Sequence, residues 1–447
     1  MLKLFLWLRY LRKKKIVFLS IAAVALSVAL LIVVSSLFGG FIDVFEQSAV
    51  EGIGDVVLDP PVKFSRYEEL IERLERISVV EAATATLSAE GLLHLGRGNV
   101  RGVEIWGIEP ERRAKVTGLK QSLINQKQSP VEPSFEISGI EDGVGGFVGI
   151  GVVAEPDEET DEYDFDAVKK VIGQQAVLTT GAVIKAQDES GAVAVRKKAI
   201  RFTIADVVFT GVYYFDKRLV YLPIEEVQRV LYPNESEGVA GQIQIKLRAE
   251  AETDAALAQI RGAWEAFATE QLGWEPYLIR VTAIATAKQM QSKYVAEFRK
   301  QMGVLLLIFG VVSLSAVLLI FCIFYMIVET RQKDIAIIKS CGATNGSVAL
   351  IFVGFGICVG LIGSGMGMIL GDIVTKNINT IEEWIRIIFG LKLWKSSVYM
   401  FSKIPSEVDW DSALLIVLSA VTAAAVGALI PAIIAVMTRP VNVLRYE

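Results

Sequence analysis

The sequence predicts an α-helical membrane protein: four transmembrane helices plus one large α+β extracytoplasmic domain between the first and the second. Three observations predict it. The chain has 447 residues, of which 53% are hydrophobic, above the roughly 45–50% of an ordinary soluble protein, and its mean hydropathy is +0.47. Four stretches, at 16–42, 302–328, 341–371 and 412–438, carry no charged side chain. The segment at 43–300 is far too long for a loop and long enough for one or two domains.

Each apolar stretch exceeds the roughly 20 residues that cross a hydrocarbon core of about 30 Å. One central Asp, Lys or Arg would cost about 2.5–3.5 kcal/mol on insertion, so the absence of charge from all four argues against buried helices of a soluble core. The first stretch is longer than the apolar region of a cleaved leader, roughly 7–15 residues, and reads as a retained anchor. Basic residues set the orientation. Lys3, Arg9, Arg12, Lys13, Lys14 and Lys15 precede the first span, Arg331, Lys333 and Lys339 lie between the second and third, and Arg439 and Arg445 follow the fourth. The positive-inside rule makes these segments cytoplasmic, and 43–300 and the mixed-charge loop 372–411 external.

The external region reads as mixed α and β. Residues 66–77 place Leu70, Ile71, Leu74 and Ile77 at helical spacing. The β-branched run 100–108 and the alternating QIQIKL at 242–247 read as strands. Thr253 suits an N-cap for a helix over 254–272, and 277–281 is a strand candidate. Two α/β pieces, 43–117 and 239–300, thus flank an insert at 118–238. Within the insert, EPDEETDEYDFD at 155–166 reads as a solvated acidic loop, with a cation site as the alternative. Strand-like runs follow at 176–179, 182–186, 199–204, 207–214 and 219–222, with a hairpin turn at Gly191 and a short helix opened by Pro223.

No catalytic constellation is visible. The sequence has no GxxxxGK[ST] loop to cradle ATP phosphates, no HExxH, no GxSxG and no CxxC. Its single histidine, His94, sits among leucines and reads as structural, and Asn234-Glu235-Ser236 is too common a triplet to decide anything. The net charge of −5 gives no reason to expect a nucleic-acid partner. Cys322, Cys341 and Cys358 all lie in or beside spans two and three, so the external domain is held by its core. The spans lack the ionisable groups of an ion-driven pump. Span three instead carries Gly356, Gly360, Gly363, Gly367 and Gly371, and small residues at this spacing admit a close neighbour. Span four, with Ala423, Ala424, Ala425, Gly427 and Ala428, is the expected partner, and Pro431 a candidate kink.

The segment between spans two and three, ETRQKDIAIIKSCGAT at 329–344, reads as a short amphipathic cytoplasmic helix ending at Gly342. Followed by its glycine-rich span, it resembles ABC-transporter permeases of the MacB/FtsX superfamily. GVYYFDKRLVYLPIEEVQRVL at 211–231, YMFSKIPSEVDW at 399–410, the ending LIPAIIAVMTRPVNVLRYE, the N-terminal LRYLRKKK and the GGF at 39–41 narrow the resemblance to lipoprotein-releasing permeases of the LolC/LolE type. Residues 119–174 lie outside that resemblance. It implies a two-part Porter-like subdomain with an inserted β-rich Sabre-like part, and a coupling helix at 329–346. Glu329, Arg331, Lys333, Asp334, Ile335, Ile338, Lys339, Gly342 and Ala343 would form that helix and meet a separate cytoplasmic ATPase subunit. ATP and magnesium would sit on that subunit, and this chain would bind no cofactor. Further implied partners are a second permease chain, identical or related, a periplasmic lipoprotein carrier and membrane lipid. The expected function is ATP-driven release of a lipid-anchored substrate from the inner membrane. The alternatives are MacB-like efflux of another amphipathic substrate and FtsX-like mechanotransmission to a cell-wall hydrolase. The first usually has its ATPase fused and the second a smaller external domain.

Overall fold

The computed structural model describes residues 15–96, 98–137, 143–185, 193–235, 237–399, 401 and 403–438. The basic residues of 1–14, Arg439, Arg445, Gly191 and Ser236 lie outside these. In chain order the main elements are α1 (Lys15–Ile53), β1 (Val56–Asp59), β2 (Phe64–Ser65), α2 (Tyr67–Glu75), β3 (Val80–His94), β4 (Val100–Ile108), α3 (Pro110–Val116), β5 (Gly145–Gly149), β6 (Gln175–Lys185), β7 (Val193–Val208), α4 (Tyr213–Arg218), β8 (Leu219–Pro223), α5 (Ile224–Leu231), β9 (Val239–Ala240) and β10 (Gln242–Leu247). They continue with α6 (Thr253–Glu270), β11 (Ala283–Thr286), α7 (Ala287–Thr330), α8 (Gln332–Ser340), α9 (Asn345–Lys376), α10 (Ile378–Phe389) and α11 (Trp410–Met437). The chain divides into two compact units. One comprises Met1–Val44, Tyr294–Trp384 and Ile404–Glu447, and the other Phe45–Lys293 and Ile385–Lys403.

In the first unit, α1, α7, α9 and α11 are each long and apolar enough to cross a membrane. Their shared core contains Val24, Val28 and Ile32 of α1, Ile320 and Phe324 of α7, Phe355 and Val359 of α9, and Ala424 and Ala428 of α11.

The second unit is built on a nine-stranded sheet in the order β11-β1-β10-β3-β4-β8-β5-β7-β6. Strand β3 is its hinge. Its first half pairs antiparallel with β10, from Val80↔Leu247 to Thr86↔Gln242. Its second half pairs with β4 on one side and β6 on the other, Leu92 meeting both Gly102 and Thr179. The pairing of β3 with β6 closes β3-β4-β8-β5-β7-β6 on itself. Gly91 sits at this switch. A Cβ there would lie 2.8 Å from Ile105 Cδ1 and 2.9 Å from the Thr179 carbonyl, so only a residue without a side chain lets β6 approach. Strands β4 and β8 pair in parallel, so the sheet runs unbroken across 117/118: the insert completes its layer with β3 and β4, strands that precede it. Helices α2 and α6 bury Leu70, Ile71 and Leu74, and Ile260, Trp264 and Phe267, in the core they share with the sheet.

Several local expectations change. Residues 277–281 belong to a helical turn, Pro276–Val281, because Pro276 stands at its start, where its fixed φ and missing N–H suit a helix. Thr253 is the first residue of α6, and Glu252 holds the cap position with extended backbone. The run at 207–214 leaves the sheet after Val208 and enters α4 at Tyr213. Pro223 ends β8 and caps α5. The segment at 372–411 is largely helical, with α9 reaching Lys376 and α10 following.

Two buried groups tie this unit together. Arg113 of α3 is 1% exposed. Its guanidinium donates to Gln244 Oε1 at 2.7 Å, Thr86 Oγ1 at 3.2 Å and the Gly52 carbonyl at 2.7 Å, and lies 4.8 Å from the Trp106 ring and 5.5 Å from that of Tyr221. One side chain thus joins α1, β3, β4, β8 and β10. Asp216 of α4 accepts from the Thr210 N–H (2.7 Å), the Thr210 hydroxyl (2.8 Å) and the Gly211 N–H (3.0 Å). Gly211 has φ +77°, so this turn takes glycine without strain. Both motifs of the turn, Gly211 and the buried Asp216, come from the stretch 211–231 that carries the resemblance.

Burial outweighs these bonds and pushes the Asp216 pKa from 3.8 up to about 7. An acid raised in the folded state holds its proton there more tightly than when unfolded, so its contribution favours folding at low pH and is lost as pH rises from 3.8 to about 7. Thermal unfolding of the full chain in detergent across that range should show this decline, and Asp216→Asn should flatten it. Equal slopes would remove Asp216 as the cause.

Candidate functional site

The described residues contain no group of three or more His, Cys, Asp or Glu side chains placed to hold a metal ion. The sites singled out in the sequence are the segment between α7 and α9 and the glycines of α9.

The segment is a helix, a stop and a new helix start, each written in its own residues. Helix α8 begins after Arg331, whose guanidinium pairs with Asp334 at 2.9 Å, one turn on. It ends where the Gly342 N–H bonds the Lys339 carbonyl at 3.0 Å and the Ala343 N–H bonds that of Ile338 at 3.3 Å. That pair of bonds is the Schellman closure, which needs a left-handed residue, and Gly342 has φ +92°. Thr344 then caps α9, its side chain accepting from the Ser347 N–H. Much of ETRQKDIAIIKSCGAT therefore encodes this reversal.

The nine residues expected to form one contact surface separate into roles. Ile335 is buried with Ala336; Ile338 is half-buried. Lys339 turns inward: its ammonium donates to the carbonyls of Val436 (2.8 Å) and Thr438 (2.9 Å) at the end of α11. Those carbonyls have no partner further along their helix, and a cation there meets the negative end of the helix dipole. Lys339 thus fastens α8 to α11. Glu329, Lys333 and Gly342 are exposed, as are Ile337, Ser340 and Cys341. Lys333, Ile337 and Ser340 recur at four and three residues, one stripe of the helix. Ile337 is not legible as a surface position in the sequence because the adjacent Ile335 and Ala336 are buried, and an apolar residue beside them reads as more core.

The glycines of α9 occupy one stripe, about 80° wide at 100° per residue, with two neighbours along it. Toward the N-terminal half α9 meets α11: a Cβ on Gly356 would lie 2.5 Å from that of Ala428, and one on Gly360 2.9 Å from that of Ala424. Toward the C-terminal half it meets α1: Gly363 would place a Cβ 2.8 Å from that of Val24, Gly367 2.7 Å from that of Val28, and Gly371 3.1 Å from that of Ile32. Span four was the expected neighbour of the stripe. It takes only the first two glycines, and α1 takes the other three. On α11, Gly427 faces α7, with Val317 Cγ1 3.1 Å from the added atom, and Pro431 lies within the helix.

In the second unit, the acidic stretch 155–166 is engaged by residues from 385–403. Lys392 Nζ donates to the Thr160 carbonyl, and the Ser396 N–H donates to Asp161 Oδ2 at 2.7 Å. Val212 and Phe401 form an antiparallel bridge. Asp157 closes the acidic loop by accepting from the Glu159 and Thr160 N–H groups and the Thr160 hydroxyl, and these bonds lower its pKa. His94 contacts Thr179 at 3.2 Å across the β3–β6 closure.

Comparison with known proteins adds a second line of observation. Residues 17–263 match the family described as MacB-like periplasmic core domain, and residues 306–440 match FtsX-like permease C-terminal. The chain is similar to the lipoprotein-releasing system transmembrane protein LolC of Neisseria meningitidis serogroup B, 26% identical over 465 residues covering 100% of this chain and 99% of the relative. It is 34% identical over 119 residues to the lipoprotein-releasing system transmembrane protein LolE of Haemophilus influenzae, covering 27% of this chain and 29% of the relative. The solved periplasmic region of MacB from Actinobacillus actinomycetemcomitans covers 55% of this chain and 95% of its own, at 12% identity and TM-score 0.30.

The packing of α9 yields a paired test. Gly367→Val should cost about 1–3 kcal/mol of overpacking, read as a lower unfolding temperature and lower yield of the full chain in detergent. Gly365→Val, where an added Cβ meets nothing within 4 Å, should leave both near wild type. Equal effects would refute the stripe as the contact.

Proposed function

Because the chain belongs to the MacB-like periplasmic core domain family, joined here to an FtsX-like permease part, we propose that it is the permease subunit of an ABC transporter that releases lipoproteins from the inner membrane. The observation that carries this reading is the similarity to LolC along both chains from end to end. ATP hydrolysis takes place on a separate cytoplasmic subunit, which holds the nucleotide and its magnesium; this sequence has no P-loop. A second permease chain completes the membrane part, and a periplasmic lipoprotein carrier receives the product.

The energetic need fits the reading. Moving one acyl chain of roughly 14 carbons out of a bilayer costs about 10 kcal/mol at about 0.8 kcal/mol per methylene, so release requires a powered machine, an apolar acceptor, or both. The segment 329–346 acts as the coupling helix. Lys333, Ile337 and Ser340, which face outward, meet the ATPase; the Arg331–Asp334 pair closes the first turn of the helix, and Ile335 and Lys339 hold it to the spans. Motion imposed on α8 then reaches α9 through the Gly342–Thr344 turn and α11 through Lys339.

The test is the complete complex in proteoliposomes, with ATP turnover and transfer of a lipid-anchored protein to a soluble acceptor measured together. This chain alone should hydrolyse no ATP. Lys333→Glu with Ile337→Asp should lower coupled release by about tenfold, the equivalent of roughly 1.4 kcal/mol of contact energy. Undiminished release would remove the docking assignment. ATP turnover in the wild-type complex without lipoprotein transfer would remove the substrate.

A further inference from the structure

Helix α10 turns an apolar stripe outward. Its apolar side chains Trp384, Ile387 and Ile388 are 63, 68 and 71% exposed. They stand at i, i+3 and i+4, one stripe of the helix. The half-buried positions lie opposite and are mixed: Ile378, Ile381 and Ile385 with Glu382 and Arg386, and Asn379, which exchanges two hydrogen bonds of 3.0 Å with the backbone of Ile404. No residue of α10 is fully buried. The pattern continues past the turn at Gly390. Leu391 and Leu393 are 58 and 57% exposed, while Lys392 between them is drawn to the Thr160 carbonyl. Along 384–393 every apolar side chain but the half-buried Ile385 is exposed, while Arg386 and Lys392 are half-buried.

Such a surface has an occupant, and continuity of the chain names it. Only Asn377 separates α10 from α9, whose last turns expose Ile369, Leu370 and Ile373 as a span does to lipid. Trp384 stands eight residues beyond the end of α9 at Lys376, and tryptophan is a residue that favours the headgroup boundary. We propose that α10 and the residues to Leu393 form an interfacial helix, lying on the extracytoplasmic surface of the bilayer with Trp384, Ile387, Ile388 and Leu391 in the lipid. Its opposite side holds the protein, through Asn379 and Ile404 and through Lys392 and Ser396 to the acidic stretch. That stretch then has a role the sequence left open: it holds the far end of this membrane-lying segment.

Depth measurement by spin label tests the proposal on the full chain in vesicles of phosphatidylethanolamine and phosphatidylglycerol. Cys322, Cys341 and Cys358 are first replaced by serine. Labels go at Ile388→Cys and, in case that variant misfolds, at Ile387→Cys. Ile369→Cys gives the lipid reference and Glu158→Cys the water reference. The labels on α10 should collide more with oxygen than with a water-soluble nickel chelate, as at position 369. Nickel collisions matching those at position 158 would place the stripe in water and overturn the proposal. Low collisions with both agents, with dipolar broadening between labels, would overturn it in favour of a contact between two copies of this chain.

Discussion

Along its glycine stripe, α9 leaves no room for a side chain against α11 or α1. Lipid tails are as apolar as the helices, so the hydrophobic effect does not drive spans together, and close van der Waals contact does. The stripe of Gly356, Gly360, Gly363, Gly367 and Gly371 admits α11 along its first part and α1 along the rest. Gly427 extends the same rule from α11 to α7. The cytoplasmic reversal depends on this frame: α8 rests on it through Ile335 and is fastened to α11 by Lys339.

The external unit is held by a different means. Arg113 is a buried cation bonded to neutral oxygens and lying against two aromatic rings. Breaking such a site leaves buried donors without partners, which costs more than the bonds themselves contribute. The groups it joins come from both flanking pieces and from the insert, so the domain is one sheet with a closed part, as the divided strand β3 also requires. Asp216 and Gly211, a few residues away in sequence from Tyr221, secure the turn that delivers β8 to this point.

The resemblance therefore rests largely on folding chemistry. GVYYFDKRLVYLP builds the Asp216 turn and the strand under Arg113, and IIKSCGAT builds the Schellman stop and the cap of the next helix. Most of these residues are engaged within the fold. The outward positions, Lys333, Ile337 and Ser340, sit between the structural ones and carry no distinctive pattern of their own, which is why the sequence names the segment but not its contact face. Helix α10 was overlooked for a related reason. Its mixed charge reads as a loop, while the spacing of Trp384, Ile387 and Ile388 was a helical signal already on the line.

What the sequence determined by itself was everything that follows from local periodicity and transfer cost. Four uncharged apolar stretches are each long enough to span a bilayer, QIQIKL and the run at 100–108 alternate or branch as strands do, and Gly342 marks a helix end. The tertiary structure alone decided which groups meet. Arg113 stands in a charged run, PERRAK, that gives no sign of burial until five elements close over it. Lys339 looks like a positive-inside charge until the last carbonyls of α11 arrive 97 and 99 residues further along the chain. The glycine stripe of α9 offers room without stating for whom, because a missing side chain specifies a distance of approach and not a partner.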